Sequence, residues 1–214
     1  MRTTSVFGLL GAALIVLGIP AYSHSQVRFG LSAEVNRTTF GGVAPNHANY
    51  SSNYGTGFAG IVEFRVHEDV VLSFQPGWIQ KGSEIVFNQD EQPDSTETFA
   101  VNQSWVTLPV YFRIDSDGRG FYAGGGFSID LLLDSELEHE GATIDNKSAF
   151  EDVDAVYQFD VGYMYETGSR ALFVEARYMQ GLVTLGNTNE STVGDIYVAE
   201  FKSNGLRLVA GILF

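Results

Sequence analysis

The sequence predicts an all-β fold, an eight-stranded antiparallel up-and-down transmembrane β-barrel, and three observations lead to this prediction. Apolar and polar residues alternate along nearly every segment that is not visibly a turn. Short and long connections alternate between these segments. Beyond the first residues, no stretch is long and apolar enough to be a transmembrane helix. A chain without such helices crosses a membrane only as a closed barrel, because its backbone groups must be hydrogen-bonded internally.

The segment DAVYQFDVGYMYE at 154–166 shows the alternation most clearly. Gln158 and Asp160 share one parity, whereas Tyr157, Phe159 and Val161 share the other. Because successive side chains of a strand point to opposite faces, this segment separates an apolar environment from a polar one. We expect the apolar face to meet lipid and the polar face to line the lumen. A soluble periplasmic barrel with its apolar face inward is the architectural alternative.

The period-two pattern predicts about eight strands, near 27–40, 56–67, 70–87, 99–114, 119–138, 153–166, 170–184 and 197–214. The connections at 67–69, 115–118 and 167–169 are tight turns, whereas those at 41–55, 88–98, 139–152 and 185–196 are long and polar. Outer-membrane barrels have short periplasmic turns and long outer loops. We therefore expect the tight turns on the periplasmic side and the long connections outside.

The first residues have the organisation of a secretory signal peptide. Arg2 precedes an apolar run at 6–19, followed by a proline and small residues. The run is shorter than the ~20 residues of a membrane-spanning helix, so cleavage is favoured over an anchor. Small residues place the cut after Ser23 or Ser25. We predict a signal peptide at 1–25 and a barrel domain at 26–214, exported to the outer membrane of a Gram-negative-type bacterium.

Charge and composition exclude several classes of function. The absence of cysteine excludes disulfides and thiolate metal sites. Loss of Arg2 with the signal peptide changes the formal net charge from −14 to −15. Such an acidic chain is not expected to bind nucleic acid, which requires a basic surface. No cofactor is predicted.

Several strings resemble a known family when they are taken in order. They are QVRFGLSAEVN, FQPGWIQKGSE, VTLPVYFRI and GFYAGGGFSIDLLL, with a last strand that ends on Phe214. Together they resemble the small outer-membrane β-barrel domain family that includes the PorT-like proteins. The resemblance implies a barrel of about eight strands without shared catalytic residues, and Phe214 resembles the terminal aromatic signal read by the barrel-assembly machinery. Thr107 departs from the pattern, since many relatives carry a carboxylate there.

Charged residues of both signs share the predicted inward parity. Asp130 is one of them, and the predicted lumen network consists of Glu34, Glu63, Arg65, Arg113, Asp160, Glu175, Arg177 and Arg207. Buried charges must be paired or solvated, and eight strands enclose a space just wide enough for side chains. A structural, salt-bridged plug is therefore favoured over an ion pathway. Five of these residues are expected at one depth, with Arg177 and Arg207 facing Glu34, Asp160 and Glu175.

Other constellations favour structural interpretations. The acidic stretch at 134–140 offers oxygens to calcium, but a solvated strand extension explains it equally simply, so no metal site is predicted. A lipid-modifying enzyme could join His139 to Ser128 or Ser135, although no spacing requires it. The glycines at 124–127 allow close packing and are not followed by a helix that could bind phosphate. No catalytic residue is predicted.

The sequence thus predicts a non-enzymatic barrel with a structural or adhesion-type role at the cell surface. Its expected partners are outer-membrane lipid and the assembly machinery, and the sequence does not specify a surface ligand. A narrow channel or a secretion-associated component is the first alternative, and a lipid-modifying enzyme is the second.

Overall fold

Long antiparallel strands make up most of the computed structural model, which describes residues 27–44, 47–88, 96–116, 120–186, 192–193, 196–197 and 201–214. The strands are β1 (Val27–Gly42), β2 (Ala48–His67), β3 (Val70–Phe74), β4 (Gly77–Asn88), β5 (Thr96–Asp115), β6 (Phe121–His139), β7 (Ala142–Asp145), β8 (Val153–Thr167), β9 (Arg170–Gly181), β10 (Thr192–Val193), β11 (Ile196–Tyr197) and β12 (Phe201–Leu213). A short 3-10 helix spans Lys147–Ala149. The predicted signal peptide lies outside the described residues.

The sheet closes on itself because its last strand pairs with its first. The β1–β12 ladder runs from Gly30 opposite Leu213 to Gly42 opposite Phe201. β3 and β4 occupy one position between β2 and β5, since both pair with the same two neighbours. Counted this way, the described pairings pass round eight positions: β1, β2, β3–β4, β5, β6, β8, β9 and β12. The predicted all-β, antiparallel up-and-down fold is confirmed.

No helix in the described ranges is both long and apolar enough to cross a membrane.

The outer surface carries a continuous apolar belt. Phe159 is 60% exposed on the outside, while its neighbour Asp160 is 6% exposed and points inward. Every outward position of the belt is occupied by an apolar residue, glycine or tyrosine, over 27–35, 58–66, 70–78, 106–114, 121–133, 153–165, 172–178 and 206–214. Most of these segments match the ~9–11 residues that a tilted membrane strand requires. The apolar face is outside, as predicted, and the soluble barrel with an inward apolar face is excluded.

The barrel is taller on one side than on the other. We call the end with the tight turns the short-turn end and the opposite end the long-connection end. Towards the long-connection end, β1, β2, β4, β5, β6 and β12 continue past the belt, whereas β8 begins near its edge and β9 ends there. Many outward residues beyond the belt are polar or charged, such as Gln80, Ser104 and Glu136, while inward residues such as Ile85 and Leu137 are apolar and buried. The inside–outside polarity therefore reverses at the belt edge.

Four features of the predicted strands and connections were wrong, and one of them is the connection at 185–196, which contains most of the short β10–β11 pair. β2 begins at Ala48, not near residue 56, because residues 48–52 pair with β4 beyond the belt, where an outward apolar face is not needed. The third predicted strand is interrupted at Gln75 and Pro76, since proline cannot donate to a ladder. The predicted loop at 139–152 contains β7, which forms a hairpin with β6.

The β2–β4 ladder has a register shift between Ser52 and Gly57. Side chains of β1 bond to the β4 backbone at this point. The Asn36 amide donates to the carbonyl of Gln80 at 2.9 Å, and the Thr38 hydroxyl lies 2.8 Å from both the nitrogen and the oxygen of Gly82. These bonds explain why Asn36 and Thr38 are buried although both are polar.

We predict that Val161→Arg, in the belt, lowers the free energy of unfolding from lipid vesicles by up to ~2–4 kcal/mol, the cost of arginine near the bilayer midplane. Thr98→Arg, on an exposed position of β5 beyond the belt, is the matched control and should change it little. Reversible denaturant titration of both variants in vesicles measures the difference. Equal losses for the two variants would contradict the assignment of the belt to lipid.

Candidate functional site

The barrel interior is the candidate functional site, because it contains most of the buried charged side chains of the described chain. These side chains lie in successive layers between the two ends. We name them, from the short-turn end, the mouth layer, the middle layer, the lysine layer and the apolar layer.

The mouth layer is a network of ion pairs around Glu63. Its carboxylate accepts from Arg113 Nη1 at 2.5 Å and from Arg28 Nη2 at 3.1 Å. Arg113 Nε also donates to Asp115 at 2.7 Å, and Arg65 Nη2 reaches the same carboxylate at 3.2 Å. Each carboxylate thus binds two guanidinium groups, and Arg28 and Arg65 keep partial contact with solvent. A cavity of about 470 Å³ opens beside this layer, with Arg65 and Asp115 among its lining residues.

The middle layer is centred on Arg177, which is almost fully buried. Arg177 forms an ion pair with Glu175 and donates to Gln75 Oε1 at 3.0 Å. Its guanidinium carbon lies 4.2 Å from the ring centre of Tyr111, a cation–π contact. The Tyr122 hydroxyl donates to Glu175 at 2.8 Å, so the carboxylate is held from two sides.

A second pair belongs to the middle layer. Arg207 Nη1 lies 3.5 Å from Glu34 Oε1, and Arg207 Nε lies 3.0 Å from the sulfur of Met179. Asp160 is opposite Arg177 in the β8–β9 ladder but forms no ion pair with any described residue. The five-residue layer expected from the sequence is therefore two separate pairs with Asp160 beside them.

The lysine layer places one cation between two buried carboxylates. Lys81 forms an ion pair with Asp130, and its Nζ lies 3.6 Å from Asp154 Oδ2. Thr107 and Ser203 donate to Asp130 and Asp154 at 2.7 and 2.6 Å. Lys81 Nζ is also 4.9 Å from the ring centre of Trp105. These bonds offset the cost of burying three charges inside the barrel.

The apolar layer fills the long-connection end. The rings of Phe40 and Phe201 stack with centres 4.0 Å apart, and Phe150 packs against both. Other buried members include Ile79, Ile85, Val101, Trp105, Leu132, Leu137 and Leu185. On the side of the barrel where the wall is shorter, the segments at 149–151 and 185–186 cover the apolar layer. Glu151 N donates to Leu185 O at 2.9 Å, and Phe150 forms an isolated β-bridge with Gly186.

All eight residues of the predicted lumen network lie on the inner face of the wall. Arg65 and Glu34 are partly exposed to solvent, and the other six residues are buried. Sequence reasoning missed Arg28, Lys81 and Asp154 as members. Lys81 shares the parity of Ile79 and Ile85. This shared parity was the signal in the sequence from which an inward-facing lysine could have been predicted. Its two carboxylate partners come from β6 and β8, and only the register of the closed sheet shows that they meet.

The alternative catalytic grouping of His139 with Ser128 or Ser135 does not assemble. The His139 ring stacks on Phe99 with centres 4.0 Å apart. Ser128 is buried in the lysine layer, where it bonds to Asp130 and Thr107. On β6, His139 stands eleven positions from Ser128 and four from Ser135, separations of about 36 Å and about 13 Å at ~3.3 Å per residue. Ser135 is buried and accepts from Gln103 Nε2 at 3.4 Å. Within the described residues, no group of three or more histidine or acidic side chains could hold a metal ion.

Comparison with known families identifies the architecture. Residues 19–185 match the family described as Outer membrane protein beta-barrel domain. The chain belongs to this family. The belt and the closed sheet are the features that a barrel spanning the outer membrane requires, and the outer membrane is the location of this protein.

Solved structures with similar folds share little sequence with the chain. OprG from Pseudomonas aeruginosa is 10% identical, with 89% of this chain and 97% of that chain covered and a TM-score of 0.49. The attachment invasion locus protein Ail of Yersinia pestis is 10% identical, with coverages of 90% and 100% and a TM-score of 0.42. Neisserial surface protein A is 14% identical, with coverages of 86% and 95% and a TM-score of 0.40. No curated protein matches the chain.

We predict that Arg177→Met lowers the free energy of unfolding by about 3–5 kcal/mol, because it leaves the buried Glu175 carboxylate without its cation. Arg170→Met is the control, since Arg170 is exposed at the start of β9. Adding Glu175→Gln to Arg177→Met should recover part of the loss. Denaturant unfolding in detergent measures all three variants, and equal stability of Arg177→Met and Arg170→Met would contradict the importance of the pair.

Proposed function

We propose that the protein is a non-enzymatic outer-membrane barrel with a plugged, salt-bridged lumen and a structural or adhesion-type role at the cell surface. The observation that carries the proposal is the apolar layer, a cluster of buried apolar side chains at the long-connection end, with three layers of charged side chains between it and the short-turn end. Trp105, Leu185 and Phe201 in this layer are almost completely buried.

The layers oppose conduction for different physical reasons. A hydrated ion would have to lose its water to cross the apolar layer, whose described members are apolar side chains that cannot replace that water. In the layers below, an ion could pass only if the ion pairs in its way broke. Each broken pair would leave a buried charge without its partner, which is energetically costly. The mixed signs of these layers also provide no continuous track for either anions or cations.

The surface role follows from the orientation that we propose, with the short-turn end in the periplasm. The tall side of the wall then projects beyond the lipid. Its outward side chains are polar or acidic and well exposed, with Gln80, Asn102, Asp134, Glu136 and Glu138 among them. A rigid, hydrated wall of this kind suits contact with other macromolecules at the cell surface.

Two further assignments rest on the sequence resemblance. We propose that the chain is close to the PorT-like members of its family. We also propose that the barrel-assembly machinery recognises Phe214, whose side chain is exposed and whose backbone nitrogen donates to Phe29 O at 2.7 Å.

We predict that the purified wild-type protein shows no stable conductance steps in a planar lipid bilayer, because the apolar layer crosses its lumen. The recording is informative only if insertion is verified, which protease-protected fragments of the same reconstituted sample provide. Frequent openings of uniform size would overturn the plug and favour the narrow-channel alternative.

We predict that an epitope inserted after Gly141, at the β6–β7 turn, is accessible to antibody on intact cells. The matched insertion after Gly168, at the β8–β9 turn, should be accessible only after the outer membrane is permeabilised. Both turns are exposed and both glycines have positive φ, so the two insertions disturb similar local structures. The reverse pattern would invert the proposed orientation.

A further inference from the structure

Exposed positive charge is scarce on this acidic protein and is concentrated on one face. Among the described residues, Arg37, Arg170 and Lys202 are the exposed cations. Arg170 lies at the short-turn end. The interior pairs take up most of the others, and Lys147 donates to the carbonyl of Leu133 at 3.0 Å. Arg37 and Lys202 thus remain as the exposed cations towards the long-connection end, and they are on adjacent strands.

Arg37 lies at the edge of the apolar belt. It is opposite Tyr54 on β2 and opposite Leu206 on β12, and Leu206 is in turn opposite Tyr178 on β9. Tyr54 is 78% exposed. Tyrosines are enriched at the level of lipid headgroups, because the ring is apolar and the hydroxyl is hydrated. The arginine therefore lies in a row of residues suited to the headgroup region.

Lys202 lies further from the belt on the same outer face. It is opposite Gly41, four residues along β1 from Arg37, which corresponds to about 13 Å at ~3.3 Å per residue. Between the two cations lie Thr39 on β1 and Asn204 on β12, which are opposite each other, and Gln180 on β9 is the next neighbour of Asn204. The Asn204 side chain packs over Gly41, where a Cβ would lie 2.5 Å from its Nδ2. We call Arg37, Lys202, Asn204 and Gln180 the β1–β12 face.

We propose that the β1–β12 face binds the headgroup of an outer-leaflet glycolipid that carries a phosphate at each end of a sugar unit. The two cations suit two separated phosphates, and the Asn204 amide between them suits a sugar hydroxyl. The row of Arg37 and the tyrosines lies at the depth where such a headgroup would lie. The opposite wall is acidic, at Asp134, Glu136 and Glu138, and disfavours the same ligand.

The proposal rests on the orientation proposed above but not on the plugged lumen or the adhesion-type role. It is tested by native mass spectrometry of the full-length protein in detergent, titrated with bis-phosphorylated lipid A. Dephosphorylated lipid A and inorganic phosphate are the comparison ligands. The variants are Arg37→Gln, Lys202→Gln and the double variant, with Arg170→Gln as the control for an exposed cation outside the face. Unheated gel mobility verifies that each variant is folded.

Each substitution on the face should weaken lipid A binding about fivefold, and the double variant should weaken it about thirtyfold, the effect of two surface cations that act independently. Arg170→Gln should bind as the wild type does, and dephosphorylated lipid A should bind the wild type as weakly as lipid A binds the double variant.

Equal affinity of the wild type and the double variant would overturn the proposal. Equal weakening by Arg170→Gln would overturn it as well, since it would indicate a general charge effect. Displacement of lipid A by inorganic phosphate would overturn the proposal that the ligand is a glycolipid and would indicate a site for free anions. The epitope experiment reports on orientation separately, so an inverted barrel is distinguished from a face that does not bind.

Discussion

The ladder between β1 and β12 is the interaction on which the rest of the structure depends. An open edge within the belt would expose unpaired backbone groups to hydrocarbon, at a cost of several kcal/mol for each group. Pairing from Gly30 opposite Leu213 to Gly42 opposite Phe201 removes that edge. Closure also fixes how much space the interior has. A ring of eight positions leaves room for side chains and little else, so the inward residues must pack and pair with one another.

This confinement explains how the chain distributes its charge. The buried cations Lys81, Arg113, Arg177 and Arg207 each lie beside a carboxylate from another strand or from two residues away on their own strand. With Arg28 and Arg65 of the mouth layer, six of the ten described lysines and arginines are paired with carboxylates. Apart from the buried Asp160, the described acidic groups that have no such partner lie on the outer wall and in the polar segments beyond the belt. The net charge of −14 is therefore largely a property of the surface and not of the interior.

The sequence predicted the membrane part of the barrel well, because lipid imposes a strict alternation there. Phe159 and Asp160 could be assigned to opposite faces from parity alone. Beyond the belt, water replaces lipid and the alternation reverses, so that Ile85 is inside and Glu84 faces outward. Parity counted from the belt could not locate the start of β2, where Ser51 and Ser52 give no apolar signal. The meeting of Lys81 with Asp130 and Asp154 was also beyond reach, because it depends on the stagger between distant strands.

The apolar layer has a consequence for the order of events during folding. Phe40 and Phe201 come from the first and last described strands, and Phe150 and Leu185 come from connections between later strands. Contacts between residues so distant in the chain form late, because the loop entropy must be lost before they are gained. The lumen is thus still open to water while pairs closer in the chain, such as Arg177 with Glu175 and Arg113 with Glu63, find their partners, whereas Glu34 and Arg207 meet only when the last strand is in place. Arginine and carboxylate groups can therefore lose their water after they have formed pairs. The long-connection end of the barrel excludes water only when the last strand is in place.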